Sequence, residues 1–221
     1  MFSTITRTWN PVVGCLHKCS FCYARNLAET KLKHLPRYQN GFTPKLVESE
    51  LRRRFHQGFI FVSDMGDLWG KWVPKEWIEK VLEVVRESPK ATFLFLTKNP
   101  RRYHDFLEVM PLNVVLGATI ESDLILTSEY TRAPSPRDRG QAMFDIFERP
   151  KMVSIEPIMD FDPLGLAGWI KAIGPQFTYV GYDNHGHHLP EPPLEKTQAL
   201  IMVLGQFTEV RLKTIRKAWN E

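Results

Sequence analysis

Residues 75–98, KEWIEKVLEVVRESPKATFLFLTK, contain a helix pattern followed at once by a strand pattern. Apolar residues recur three and four positions apart behind Pro74, which predicts an amphipathic helix over Lys75–Glu87. The short run Thr92–Thr97 is rich in Phe and Leu, which predicts a strand that is covered on both faces. A helix that leads directly into such a strand is typical of a parallel α/β fold.

The same alternation extends along most of the chain. Seven apolar runs separated by longer amphipathic segments predict strands: Ile5–Trp9, Phe59–Ser63, Thr92–Thr97, Val114–Thr119, Met152–Glu156, Phe177–Tyr182 and Glu209–Thr214. Six or seven units are too few for a closed eight-unit barrel. We therefore predict an α/β fold, an open, partial (β/α)6 barrel of the TIM type, formed by a single domain over residues 1–221.

Polar residues recur where the predicted strands end. In barrel-like folds these ends carry the active site, so we expect the following residues to meet at one mouth: Ser63, Asp64, Asp67, Thr97, Lys98, Thr119, Glu121, Ser122, Ser154, Glu156, Tyr182, Asp183 and Asn184. Taken singly, each of them is better explained as a helix cap or a turn residue. Their joint placement favours a functional site.

Cys15, Cys19 and Cys22 form a C-x3-C-x2-C pattern after the first predicted strand and are the only cysteines in 221 residues. Three thiolates at this spacing suit an iron–sulfur cluster with one iron left open. The odd count disfavours a disulfide scaffold, and a dithiol motif would leave Cys15 unused. A Cys3His zinc site that includes His17 is the open alternative, although structural zinc sites usually draw two ligand pairs from separated segments.

The cysteine pattern, with Phe21 before the last cysteine and Tyr23 after it, resembles the cluster loop of the radical S-adenosylmethionine (SAM) superfamily. Four further stretches resemble a phage- and prokaryote-associated branch of that superfamily whose substrate is undefined: Thr8–Val12, Ser63–Asp67, Leu96–Lys98 and Ser154–Pro157. The resemblance implies a partial (β/α)6 barrel, a 4Fe–4S cluster on the three cysteines, and SAM as the second cofactor.

The resemblance also implies an activity. Such an enzyme takes an electron from a donor such as a ferredoxin or flavodoxin and cleaves SAM reductively to methionine and a 5′-deoxyadenosyl radical. That radical abstracts hydrogen from a substrate, while the protein aligns the reacting groups and excludes water. The bond that is finally made or broken is left open.

By the same resemblance, the segment Ser63–Asp67 meets the methionyl ammonium of SAM, with Asp64 or Asp67 as the counter-charge. Lys98 pairs with the methionyl carboxylate. Thr119 and Glu121 hydrogen-bond the ribose, with Ser154 and Glu156 as the next candidates. The adenine rests near Phe21, and the backbone of Val180 and Gly181 reads its edge.

Two other segments have simpler interpretations. The stretch Thr131–Gly140 is expected to be a mobile loop, although its Arg132, Arg137 and Arg139 could neutralise phosphates. The histidines after the sixth predicted strand, His185, His187 and His188, are expected to lie in a solvent-facing loop, because no acidic or cysteine partner for a second metal site is evident.

The formal net charge of +4 and a pI near 8.9 permit a polyanionic partner without requiring one. No apolar run approaches the roughly 18–20 residues that span a bilayer, so we expect a cytoplasmic protein without membrane association. Three hypotheses follow: a radical SAM enzyme acting on a nucleic acid or nucleotide, the same chemistry on a peptide or small metabolite, and a non-enzymatic zinc-bound interaction module. The oligomeric state is left open.

Overall fold

A computed structural model describes residue 2 and the ranges 4–124 and 129–221. Its strands are β1 (Arg7–Trp9), β2 (Val12–Val13), β3 (Lys45–Leu46), β4 (Gly58–Val62), β5 (Ala91–Thr97), β6 (Val114–Thr119), β7 (Lys151–Ile155), β8 (Phe177–Val180) and β9 (Glu209–Leu212). Its α-helices are α1 (Tyr23–Glu29), α2 (Lys75–Arg86), α3 (Pro136–Phe144), α4 (Pro163–Ile173) and α5 (Leu194–Leu204), with 3-10 helices at Glu48–Arg52 and Pro100–Phe106.

Seven strands form one parallel sheet in the order β1-β4-β5-β6-β7-β8-β9, with β2 and β3 paired separately and antiparallel. Every neighbouring pair in the large sheet is parallel, from Arg7 opposite Ile60 at one edge to Val180 opposite Leu212 at the other. Each of the seven predicted strands corresponds to one of these strands, with ends that coincide or are shifted by at most two residues. The predicted fold class, a partial TIM-like barrel, is confirmed.

The two faces of the sheet bury different residues because successive side chains on a strand point to opposite faces. One face packs against the helices, where Ile78, Val81, Leu82 and Val85 of α2 lie in the main core. The concave face forms a second cluster of Phe61, Leu94, Val115, Met152, Phe177 and Tyr179, packed against Phe2 and Ile5. The start of the chain thus fills the inside of the half-barrel.

The segment after residue 131 differs from the prediction. Residues 136–140, expected in a mobile loop, form the first turns of α3. Ser135 caps this helix by accepting a hydrogen bond from the Asp138 backbone N–H at 3.1 Å, and Pro136 occupies the first turn. Serine followed by proline is a helix-start signal as well as a loop signal, and here the first meaning applies.

Within the described part of the chain, no helix combines the length and the apolar character that crossing a membrane requires.

Candidate active site at the carboxyl ends of the strands

A cavity of about 320 Å³ lies at the carboxyl ends of the parallel strands, within the size range of small-molecule sites. The residues predicted individually for the cluster and for SAM all line it except Glu121, Val180 and Gly181. The cavity is therefore lined by Cys15, Cys19, Phe21, Cys22, Ser63, Asp64, Asp67, Lys98, Thr119, Ser154 and Glu156, among others. This placement brings the residues together, and their individual roles stay predictions.

The cysteine loop enters the site through a tight backbone approach at Gly14, whose φ is +81°. A Cβ at this position would overlap the carbonyl of Thr43, so only glycine fits. The Gly14 N–H donates to the Met65 carbonyl at 2.9 Å, and the Cys15 N–H donates to the Phe42 carbonyl at 3.1 Å. Two other chain segments thus fix where the first thiol stands.

The three thiols are free and are exposed to different extents. Cys19 is 6% exposed, and Cys15 and Cys22 are half-buried. Burial raises the pKa of the Cys15 and Cys22 thiols. A metal that binds them as thiolates must therefore displace protons, which is the ordinary coupling between metal binding and deprotonation.

Among the described residues, no three His, Cys, Asp or Glu side chains are grouped so that they could hold a metal ion. The imidazole of His17, the fourth ligand of the zinc alternative, instead lies 3.0 Å from Asp67 Oδ2 through its Nε2. A single zinc ion needs all its sulfur ligands at about 2.3 Å from one point, whereas the thiolates of a cubane cluster bind separate irons. The described residues thus show neither a zinc site nor an iron–sulfur site already grouped, and an iron–sulfur cluster is a proposal that rests on the donor set.

Asp67 is a buried carboxylate with both oxygens occupied. It accepts hydrogen bonds from the Thr97 hydroxyl at 2.7 and 2.9 Å, from the backbone N–H of Lys98 at 3.1 Å and of Trp69 at 3.0 Å, in addition to its contact with His17. Burial alone would raise the pKa of Asp67, but these hydrogen bonds outweigh it and the pKa is lowered. Asp67 ties the cysteine loop to the ends of β4 and β5.

Asp64 has a different environment three residues earlier. Its Oδ1 accepts a hydrogen bond from Asn10 Nδ2 at 2.6 Å, and the side chain is half-buried at the cavity wall. Burial raises the pKa of this carboxyl despite the Asn10 contact. Of the two predicted counter-charges for an ammonium group, Asp64 is the one that retains unused hydrogen-bonding capacity among the described residues.

Ser63 supplies a buried hydroxyl without a partner. Its side chain is 2% exposed and lines the cavity, and its Oγ forms no hydrogen bond with the described residues. The backbone has φ +58°, which a non-glycine residue rarely adopts. A buried polar atom without a partner costs free energy unless a ligand satisfies it, so the wall of this cavity suits a polar ligand.

Lys98 reaches the cavity from the end of β5 and is ion-paired with Glu121, while its Nζ lies 5.1 Å from the centre of the Phe21 ring. Glu121 is 0% exposed and also pairs with Arg139 at 2.7 Å. Burial would raise the pKa of Glu121, but the two cations outweigh it and lower the pKa. Glu121 therefore lies behind Lys98 and does not line the cavity. The predicted ribose contact would require it at the cavity wall.

Two further expectations fail in this region. Arg139 is completely buried in α3, so it cannot neutralise a phosphate, whereas Arg132 and Arg137 are exposed. Gly181 does not line the cavity, and its N–H and carbonyl already bond Ile155 and Ile158 within the fold. No free N–H at Gly181 is left to read an adenine edge.

The opposite rim carries a pair that the sequence interpretation missed. Asp183 Oδ1 lies 2.8 Å from His187 Nδ1, and its Oδ2 accepts the His187 backbone N–H at 2.8 Å. The histidine loop thus has an acidic partner, contrary to expectation, although the described residues form no metal group there. The four-residue spacing from Asp183 to His187 was the available signal.

Lys213 was also missed. It lines the cavity and pairs with Glu156 at 3.1 Å. Lys213 follows β9, so the rule that polar residues at strand ends meet at one mouth would have found it. His17 gave no comparable signal, because its partner Asp67 is fifty residues away.

Residues 2–171 match the family described as "Protein of unknown function (DUF5131)". No curated protein matches the chain.

Solved structures of spore photoproduct lyase share the fold at low identity. A double mutant with bound AdoMet and dinucleoside spore photoproduct superposes with a TM-score of 0.59 at 10% identity, covering 94% of this chain and 64% of that one. A single mutant gives 0.61 at 11% identity, covering 96% and 65%. The complex with dinucleoside spore photoproduct gives 0.55 at 10% identity, covering 89% and 60%. This chain thus spans less than two thirds of the length of these neighbours, and the likeness concerns the fold alone.

Proposed function

The chain belongs to the DUF5131 family, and we propose that this member is a radical SAM enzyme. The observation that carries the proposal is the meeting of the C-x3-C-x2-C thiols with the unpartnered Ser63 hydroxyl and with charged side chains in one cavity at the strand ends of a half-barrel. A structural neighbour with AdoMet bound in the same fold supports it. A 4Fe–4S cluster bound there would supply the electron that cleaves SAM to methionine and the 5′-deoxyadenosyl radical.

Different residues would bind the cluster and hold the loop on which its ligands lie. Cys15, Cys19 and Cys22 would hold the cluster as thiolates. His17 and Asp67 hold the loop on which these cysteines stand, through their 3.0 Å contact.

The methionyl end of SAM fits the groups nearest the end of β4. Asp64 offers a carboxylate to the ammonium, and the unpartnered Ser63 hydroxyl offers a second hydrogen bond. Lys98 offers its ammonium to the methionyl carboxylate, and Glu121 sets where that ammonium stands. The carboxylate of SAM would therefore share Lys98 with Glu121.

The remaining wall suits the nucleoside end. Thr119, Ser154 and Glu156 line the cavity beyond Lys98 and would hydrogen-bond the ribose. The ring of Phe21 offers an apolar surface for the adenine. The rings of Phe2 and Phe61 line the cavity from the inside of the half-barrel and would exclude water from the reacting groups.

We propose a nucleic acid or nucleotide as the substrate class. The net charge of +4 and the exposed Arg132 and Arg137 support this choice, as does the dinucleoside bound by structural neighbours. A peptide or small metabolite is the alternative. Electrons would come from a donor such as a ferredoxin or flavodoxin.

The test is anaerobic reconstitution of the full chain followed by two measurements. Iron and acid-labile sulfide should each reach about four per chain. With dithionite and SAM the protein should release 5′-deoxyadenosine. The matched control is the variant with Cys15, Cys19 and Cys22 all replaced by Ser, which should do neither. One equivalent of zinc and no 5′-deoxyadenosine from the wild type would overturn the proposal.

A further inference from the structure

The segment 130–132 lies between β6 and α3. It is hydrogen-bonded to the cysteine loop, although the two are more than a hundred residues apart along the chain. The Ser20 N–H donates to the Tyr130 carbonyl at 2.9 Å, and the Arg132 N–H donates to the His17 carbonyl at 2.7 Å. These two bonds flank Thr131, which is buried. Its side chain is thereby held against the loop, and its Oγ1 lies 3.2 Å from Cys19 Sγ.

The neighbours of the Thr131 hydroxyl limit the acceptors that are open to its hydrogen. Its oxygen accepts the Ala133 N–H at 3.1 Å, so its own hydrogen is free to be donated. The candidate acceptors are Cys19 Sγ at 3.2 Å and the His17 carbonyl at 3.5 Å. The carbonyl already accepts a shorter bond from Arg132, and a thiolate sulfur has no hydrogen of its own. Once Cys19 is a thiolate, Thr131 is the donor and the sulfur is the acceptor.

Cys19 differs from the other two cysteines in this contact. The sulfurs of Cys15 and Cys22 accept backbone N–H groups of His17 and Arg25, both at 3.4 Å. Among the residues that the structure describes, Thr131 is the only side chain with a hydroxyl bonded to one of the three sulfurs. Cys19 is also the most buried of them, so water does not screen the interaction.

We propose that Thr131 is a positioning residue that donates a hydrogen bond to the Cys19 sulfur and thereby raises the reduction potential of the cluster. The inference rests on the proposed function, because it needs a cluster on Cys19. A donor at a ligand sulfur favours the reduced cluster, which carries one more negative charge, over the oxidised one. Thr131 also holds the sulfur in place, because the two flanking backbone hydrogen bonds fix Thr131 against the cysteine loop.

The experiment compares four reconstituted full-length proteins: wild type, Thr131→Val, Thr131→Ser and Thr178→Val. Valine has the shape of threonine without the hydroxyl, and serine restores the hydroxyl. Thr178 is the matched control, a fully buried threonine whose hydroxyl lies 3.4 Å from that of Thr208 and contacts no cysteine among the described residues. The measurements are iron and sulfide content, and the midpoint potential from a redox titration followed by electron paramagnetic resonance.

We expect Thr131→Val to keep its cluster with a lower midpoint potential. The ratio of reduced to oxidised cluster at a fixed potential should fall about tenfold, which for one electron corresponds to about 59 mV. Thr131→Ser and Thr178→Val should match the wild type. Loss of iron from Thr131→Val that serine restores would also support the hydroxyl contact.

An unchanged potential in a fully loaded Thr131→Val protein overturns the inference and leaves the proposed function standing. Equal loss of iron from the valine and serine variants also overturns it, because the hydroxyl would then not be the group that matters. A wild type that assembles no cluster removes the proposed function, and the inference with it.

Discussion

Asp64 and Asp67 are three residues apart after the same strand, and they differ in burial, in hydrogen bonding and in the direction of their pKa shifts. Asp67 is buried with both oxygens bonded, and its pKa is lowered. Asp64 is half-buried with one oxygen bonded to Asn10, and its pKa is raised. One carboxylate is fully bonded within the fold, whereas its neighbour keeps an oxygen without a partner among the described residues, although both are aspartates of one short motif.

The largest effect is expected from Asp67→Asn. The amide presents an NH2 group to donors that now bond a carboxylate oxygen, so buried N–H groups lose their acceptor. We expect the free energy of unfolding to fall by about 3 kcal/mol. Urea denaturation of the cofactor-free protein measures it. The matched variant is Asp64→Asn, which should not lose stability, and equal losses in both would contradict the comparison.

Next in size is the effect of Lys98→Ala on SAM. Removal of the ammonium should weaken SAM binding to the cluster-loaded protein by about 1.5–3 kcal/mol, the usual value of a hydrogen bond to a charged group. Equilibrium binding under anaerobic conditions gives the affinity. Lys196→Ala is the control, because Lys196 pairs with Asp160 and does not line the cavity. Unchanged affinity in Lys98→Ala would remove the Lys98 assignment and leave the family assignment intact.

A similar but smaller loss of SAM affinity should follow Asp64→Asn, about 1–2 kcal/mol, because an amide keeps one acceptor oxygen but loses the charge. The cofactor-free protein should at the same time become slightly more stable at neutral pH, since the folded state no longer holds an ionised carboxylate whose pKa is raised. Binding and urea denaturation on the same preparation test both parts. A loss of stability without a loss of affinity would show that Asp64 serves the fold.

The two carboxylates should also differ in their pH dependence. Because the pKa of Asp67 is lowered, its stabilising contribution is present above the ordinary value of 3.8 and is lost as the pH falls through the folded-state pKa. The pKa of Asp64 is raised, so its unfavourable contribution is relieved as the pH falls through its folded value. The stability difference between wild type and Asp67→Asn should therefore shrink below about pH 3.8. A difference that stays constant down to pH 2 would contradict the role of Asp67.

The smallest effect is expected on nucleic-acid binding. Replacing the exposed Arg132 and Arg137 by Ala should weaken binding and flatten the salt dependence, by about 0.9 in the log–log slope for each lost phosphate contact on duplex DNA. Gel-shift titrations at several salt concentrations measure both quantities. Lys171→Ala with Lys217→Ala is the control for a general loss of positive charge. If the wild type binds neither DNA nor RNA at low salt, the nucleic-acid proposal should be replaced by a peptide or metabolite substrate.

Much of the fold was predictable because its signals are local. The apolar runs of β4 to β9 and the helical spacing of α2 are visible within a dozen residues, and the parallel order follows from their alternation. The cavity was predictable for a related reason: the carboxyl ends of parallel strands share one edge, so Ser63, Lys98, Thr119 and Ser154 had to meet there. The cysteine motif was equally local.

The errors all concern burial and partners. Arg139 looked like a loop arginine because Ser135 and Pro136 also begin loops, and only the packing of α3 against the sheet shows that its guanidinium pairs with Glu121. Glu121 looked like a ligand residue for the same reason that Lys98 did. The sequence shows no clear acidic partner for the histidine loop because Asp183 directly follows a strand, and only the structure shows that its carboxylate contacts His187.

The amino-acid sequence by itself determined the strand–helix order, the half-barrel and the set of residues at its mouth, because each of these depends on periodicity or on neighbours along the chain. Only the tertiary structure decided which of those residues have partners for all their hydrogen-bonding groups and which do not. His17 meets Asp67, Cys19 meets Thr131 and Lys98 meets Glu121 across separations from 23 to 112 residues. A hydrogen bond depends on distance in space, and that distance is set by how the strands and loops pack.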